Sequence, residues 1–191
     1  GPNAFEQKGG RQKRGRIVAL AALIIAAGET EGEADLAILP LFGQTVLEQQ
    51  VRVVRSAGAG HIVVLAHRLP AALIAAIDRL RDGGIEVQIA RTARDAADHI
   101  HPDEALILID EGLVPSPALI EELTAGPGHC LLAVEADDPL ARDRIDATHF
   151  WGGAGRIDGA LLRQTAAMLG EWVLAPTLVR TAVQAGASLL P

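Results

Sequence analysis

Apolar residues fall along this chain in two rhythms, short continuous runs and helix-spaced stripes, and their alternation predicts an α/β sheet. Residues 17–25 read as a buried strand. They lead into the small-residue turn Ala26-Ala27-Gly28, an acidic loop over 29–35, the segment 38–43, a helix from about Thr45 and a second strand over 61–65. Strand, loop, helix and strand in this order make a βαβ-type unit, and ligands of open α/β sheets sit at the loop that leaves the first strand.

The same rhythm continues downstream. Leu73, Ile74, Ile77 and Leu80 recur at helical spacing after Pro70, and Asp82-Gly83-Gly84 ends that helix. Ile85, Val87 and Ile89 alternate as a short strand, and 92–99 read as a helix. The continuous run 105–109 predicts a strand buried on both faces in the middle of the sheet, ending in Asp110-Glu111-Gly112. A helix from about Ser116 stops at Gly126-Pro127-Gly128, and 129–134 form a further strand. A less regular part holds Phe150, Trp151 and Gly152-Gly153. Residues 158–170 and 176–189 read as two closing helices, the first capped by Asp158. The sum is one three-layer α/β/α domain over 17–191 with a mostly parallel sheet.

Composition narrows the function classes. The chain has 191 residues, 49% of them apolar, enough for one ordinary core. Aromatic side chains are few, which leaves little base-stacking surface for single-stranded nucleic acid. The lone Cys130 excludes an internal disulfide, fits a reducing, cytoplasmic setting, and reads as a buried strand thiol. The net charge of −7 is unevenly split: residues 1–16 carry +4, and residues 17–191 carry −11. The acidic body argues against a nucleic-acid surface. Residues 1–16 read as a disordered basic tail that begins with the tag-like remnant Gly1-Pro2. A basic tail before an apolar run also imitates a secretory signal peptide, but the run's place as first strand accounts for it. Both lysines, Lys8 and Lys13, lie in the tail, and none follows.

Three stretches carry a family resemblance. They are 23–58, with Ala26-Ala27-Gly28-Glu29-Thr30 and Leu39-Pro40-Leu41-Phe42-Gly43; 106–120, with Asp110-Glu111-Gly112; and 155–162, with Arg156 and Asp158. In this order they resemble the nucleotidyltransferases of the GT-A, nucleotide-diphospho-sugar transferase fold. The resemblance implies a nucleoside triphosphate held at residues 26–30 by an arginine and a lysine. It also implies magnesium on the Asp110 segment, with Glu111 and Asp158 as further ligands and Arg156 as a phosphate cation beside Asp110. The ending around 166–180 resembles the approach to a fused CDP-alcohol phosphatidyltransferase. That implies a membrane-embedded partner domain in a parent protein and a place at the inner face of the membrane; the closing helices would pack on the body or on a second copy.

The loop departs from the family chemistry. Nucleotidyl transfer needs positive charge around three phosphates, yet Glu29, Glu31, Glu33 and Asp35 occupy this loop, and no arginine or lysine lies between Ile17 and Gln50. Two like charges 4 Å apart cost about 4 kcal/mol at an effective dielectric near 20. Arg52 and Arg55 on the first helix read as surface pairs. No Gly-x-Ser-x-Gly elbow, P-loop or paired nucleophile and histidine occurs. Two readings follow: a degenerate domain with a structural, regulatory or partner-binding role, and an active magnesium-dependent nucleotidyltransferase acting on a phosphorylated sugar or alcohol.

Overall fold

A computed structural model describes residues 19–27, 36–170 and 172–191. Its core is a seven-stranded sheet in the order β5-β4-β1-β6-β8-β7-β9. These strands are β1 (Leu20–Ala27), β4 (His61–Ala66), β5 (Gln88–Ala90), β6 (Ala105–Ile109), β7 (Cys130–Val134), β8 (Phe150–Asp158) and β9 (Ser188–Leu190). A small hairpin supplies β2 (Pro40–Leu41) and β3 (Gln44–Thr45). In the main sheet β8 alone runs antiparallel to its neighbours. The architecture is the mostly parallel α/β fold that the sequence predicts.

Helices cover both faces. The alternate side chains Ala22, Ile24 and Ala26 of β1 face the layer of α1 (Val46–Ser56), α2 (Ala71–Asp82) and α4 (Pro117–Ala125), through Leu47, Val51, Leu73, Ile77 and Ile120. The other set, Ala21, Leu23 and Ile25, faces α3 (Ala93–Asp98), α5 (Gly159–Met168) and α6 (Leu174–Gln184). Such double burial explains why β1, β4 and β6 read as unbroken apolar runs. It also puts the carboxyl ends of β1, β4, β5 and β6 along one edge, where their connecting loops gather.

Several boundaries differ from the sequence reading. The first strand ends two residues later, at Ala27, and the strand around Ile89 keeps only Gln88–Ala90. The irregular part holding Phe150 and Trp151 is the start of β8, the longest strand, and Trp151 is fully buried with its indole N–H donated to the Ala154 carbonyl at 2.8 Å. The last predicted helix stops at Gln184, because Gly186 takes a positive φ of 83°; residues 188–190 then return as β9 beside β7.

The hairpin ahead of α1 carries one strained residue. Phe42 has φ 51° and Gly43 φ 76°, the two positive angles of a tight primed turn, and Phe42 is 91% exposed. A left-handed conformation costs an L-residue about 1 kcal/mol, and Asn bears it better than Phe. Phe42→Asn is therefore expected to raise the urea midpoint, by about 0.5–1 kcal/mol in stability. An unchanged midpoint would mean that the ring earns its strain through contacts within the fold.

Candidate active site at the carboxyl edge of the sheet

Asp110 follows directly on β6, at the carboxyl edge, as the apolar run before it predicts. Two bonds fix its backbone: its N–H donates to the Gly153 carbonyl at 2.8 Å, and its carbonyl accepts the Gln50 amide at 3.4 Å. Gln50 is buried within α1 and also donates to the Leu113 carbonyl at 2.8 Å, so one side chain seats the whole 110–113 turn. The same turn passes close to residue 36. A Cβ on Gly112 would lie 2.9 Å from the Leu36 side chain, so Leu36 makes an apolar contact with this turn.

The Asp110 carboxylate has a cationic partner. Arg142 Nη1 donates to its Oδ2 at 2.9 Å, and the two side chains are 25% and 16% exposed. Arg142 is held by its own backbone N–H, which donates to the Trp151 carbonyl at 2.9 Å. Gly153 makes room for the side chain: its φ is 91°, and a Cβ there would stand 2.6 Å from Arg142 Nε. This glycine lies in a register shift between β7 and β8, where 152–154 on β8 stand opposite Leu132. Burial pushes the Asp110 carboxyl above its ordinary pKa, helped by the nearby Asp143, and outweighs the pull of Arg142 and of the Glu111 backbone N–H.

The other expected residues scatter. Ala26 is buried at the end of β1, and Ala27 pairs with Ala66 after an irregular step; Gly28, Glu29 and Thr30 lie outside the described residues, as do Glu31, Glu33 and Asp35. Arg156 pairs in register with Ile107 and points its guanidinium to the Thr124 carbonyl at 3.5 Å, towards α4. Asp158 pairs with Ala105, five strand positions from Asp110, or about 16 Å. There it caps α5 through the Leu161 N–H at 2.8 Å and meets His129 at 3.3 Å. Arg156, Asp158 and His129 instead line a shallow cleft of 330 Å³ at the amino edge of the sheet. The structure thus does not bring Arg156 or Asp158 to Asp110, because β8 runs antiparallel and carries them to the opposite end. Arg52 donates to Gln44 at 3.0 Å rather than to an acid.

A magnesium ion held between Asp110 and Asp158 does not fit this arrangement. Among the described residues no three His, Cys, Asp or Glu side chains come together as a ligand group, and the carboxylate at the edge already holds a guanidinium. Sequence reasoning missed Arg142, Gln50 and Gly153. Their only signals were a Gly-Gly pair read as irregular and an arginine in an acidic stretch.

No protein-family model and no curated protein sequence matches the chain. Solved structures do. The 4-diphosphocytidyl-2C-methyl-D-erythritol synthase of Anaerococcus prevotii DSM 20548 is 14% identical with a TM-score of 0.66, over 91% of this chain and 86% of that one. A second crystal structure of a 4-diphosphocytidyl-2C-methyl-D-erythritol synthase is 20% identical, with a TM-score of 0.58 over 91% and 87%. A nucleotidyl transferase from Methanothermobacter thermautotroptrophicus is 21% identical, with a TM-score of 0.60 over 90% and 85%. The chain has a nucleotidyltransferase-like α/β fold.

Proposed function

We propose that this chain is a nucleotidyltransferase-like domain that serves as a binding or regulatory module and does not itself transfer nucleotidyl groups. The observation that carries the reading is the furniture of the edge. The apolar Leu36 side chain lies over Gly112, two residues past Asp110, and the Arg142 guanidinium is committed to Asp110. No lysine follows residue 13. Triphosphate chemistry needs uncommitted positive charge at this place.

A partner role has its own support. Phe42 and Leu39 project from the hairpin region ahead of α1, and Met168, Trp172 and Val173 are exposed between α5 and α6. All five lie toward the carboxyl edge, since α1 and α6 start there and α5 ends there. Apolar groups exposed at one end of a domain, here on both sides of the sheet, favour a protein contact at that end. Another domain of a parent protein, embedded in a membrane and handling a lipid head group, suits this reading, as does a second copy of the chain; among the described residues no helix is long and apolar enough to cross a membrane.

The second reading, an active magnesium-dependent nucleotidyltransferase, draws on the enzymes whose folds this chain shares. Calorimetric titration of the full chain with each of the four nucleoside triphosphates, with magnesium present, separates the two. Silence is the expected result. Binding tighter than about 0.1 mM, within the usual substrate range, overturns the non-catalytic reading.

A further inference from the structure

We propose that the Arg142 guanidinium is a tethered cation standing beside Asp110 where the family resemblance implies a divalent ion, so that this edge of the sheet is built to work without one. The inference deepens the reading above; it depends on that reading for the place of the site and not for the absence of transfer activity.

The seat for the guanidinium is made by the chain itself. Asp110 donates its N–H to the Gly153 carbonyl at 2.8 Å, and Arg142 donates its own to the Trp151 carbonyl at 2.9 Å, so the two partners hang from carbonyls two residues apart on β8. Gly153 also leaves bare the surface on which the guanidinium lies, with Nε 2.6 Å from where a Cβ would be. Arg142 Nε is buried and has no hydrogen-bond partner among the described residues. The bond from Nη1 to Asp110 Oδ2 at 2.9 Å places the head.

The charges leave little room for a competitor. Asp110 contributes one negative charge that the guanidinium meets mostly out of water, and the nearby Asp143 adds a second carboxylate. A divalent ion drawn to Asp110 would come within a few ångström of the arginine, and among the described residues no three His, Cys, Asp or Glu side chains gather as ligands to offset that repulsion. Asp158 cannot add a second ligand from the other end of β8. Arginine suits the task because it stays charged, is weakly hydrated and binds a carboxylate through fixed N–H groups.

The test uses manganese as the probe, followed by the electron paramagnetic resonance of the free ion, together with thermal unfolding of the full chain. Wild type is expected to leave millimolar manganese free and to keep its Tm. Arg142→Met, which retains the stem, is expected to lower Tm by about 5 °C. Manganese should then be taken up and restore part of that loss, and adding Asp110→Asn should abolish both effects. Manganese uptake by wild type that Asp110→Asn removes would overturn the proposal, as would an Arg142→Met protein that is unimpaired or indifferent to the ion. Should Arg142→Met fail to fold, Arg142→Lys keeps a cation in place, and a Tm that rises with manganese in that variant counts against the proposal. A nucleoside triphosphate that binds without manganese uptake overturns the non-catalytic reading and leaves the tethered cation standing. Asp110-dependent uptake with no nucleotide bound does the reverse.

Discussion

Gly153→Ala is expected to destabilise the domain by about 3 kcal/mol. Two costs combine. The backbone there sits at φ 91°, where an L-residue is strained by about 1–2 kcal/mol. The new methyl would also lie 2.6 Å from Arg142 Nε and 3.0 Å from Cζ. Arg142 has no easy retreat, since its backbone is bonded to Trp151 and its head to Asp110. Driving it off strands a mostly buried carboxylate. Gly84→Ala provides the control: its φ is 84°, but nothing lies within 4 Å of the added Cβ, so strain alone applies, about 1 kcal/mol. Urea unfolding of both variants measures the difference. Equal losses would show that the guanidinium of Arg142 does not lean on Gly153.

The same glycine explains what the sequence hid. The strands β1, β4 and β6 were legible because burial on both faces demands unbroken apolar runs, and Asp110 was placed at the carboxyl edge because it ends one of them. Asp158 as a helix cap was legible too, since an Asp before a helical stripe needs only local geometry. β8 was not legible in full. Its first half carries Gly152 and Gly153, poor strand formers whose value lies in the bulk they lack, against Leu132 and Arg142. Strand direction was hidden as well. Had β8 run parallel, its last residues Arg156 and Asp158 would have reached the edge where Asp110 waits. Its reversal sends them to the far end, and no periodicity in the sequence records that choice. The Asp110–Arg142 pair joins residues 32 apart through this reversed, bulged strand, so neither spacing nor composition pointed to it.

Glu48→Ala is expected to cost about 2–3 kcal/mol and to make the loss depend on pH. Glu48 is 3% exposed in the first turn of α1, where it completes a capping box with Thr45 and accepts Arg79 Nη2 at 2.7 Å and Nε at 3.2 Å. Arg79 is half exposed and rehydrates when its partner goes, so the full penalty of a stranded buried charge does not arise. Burial pushes the Glu48 carboxyl up and is the largest single influence. The hydrogen bonds from Arg79 and Thr45, with the charge of Arg79, together outweigh it and hold the group below its ordinary value. A depressed folded pKa stabilises the fold above the unfolded value, and that gain is lost as pH falls through the folded one. The gap between wild type and Glu48→Gln should therefore be widest near neutrality and close in acid, in urea midpoints taken down the pH scale. Asp110, whose carboxyl is raised by burial, is common to both proteins and drops out of the gap, so a gap that failed to close in acid would mean that Glu48 is not held below its ordinary value. The consequence reaches the carboxyl edge, because α1 also carries Gln50, whose amide seats the 110–113 turn. Loosening the first turn of α1 is expected to free the loop that presents Asp110 before it unfolds the sheet, and hydrogen exchange at the Leu113 and Asp110 amides reads that order directly.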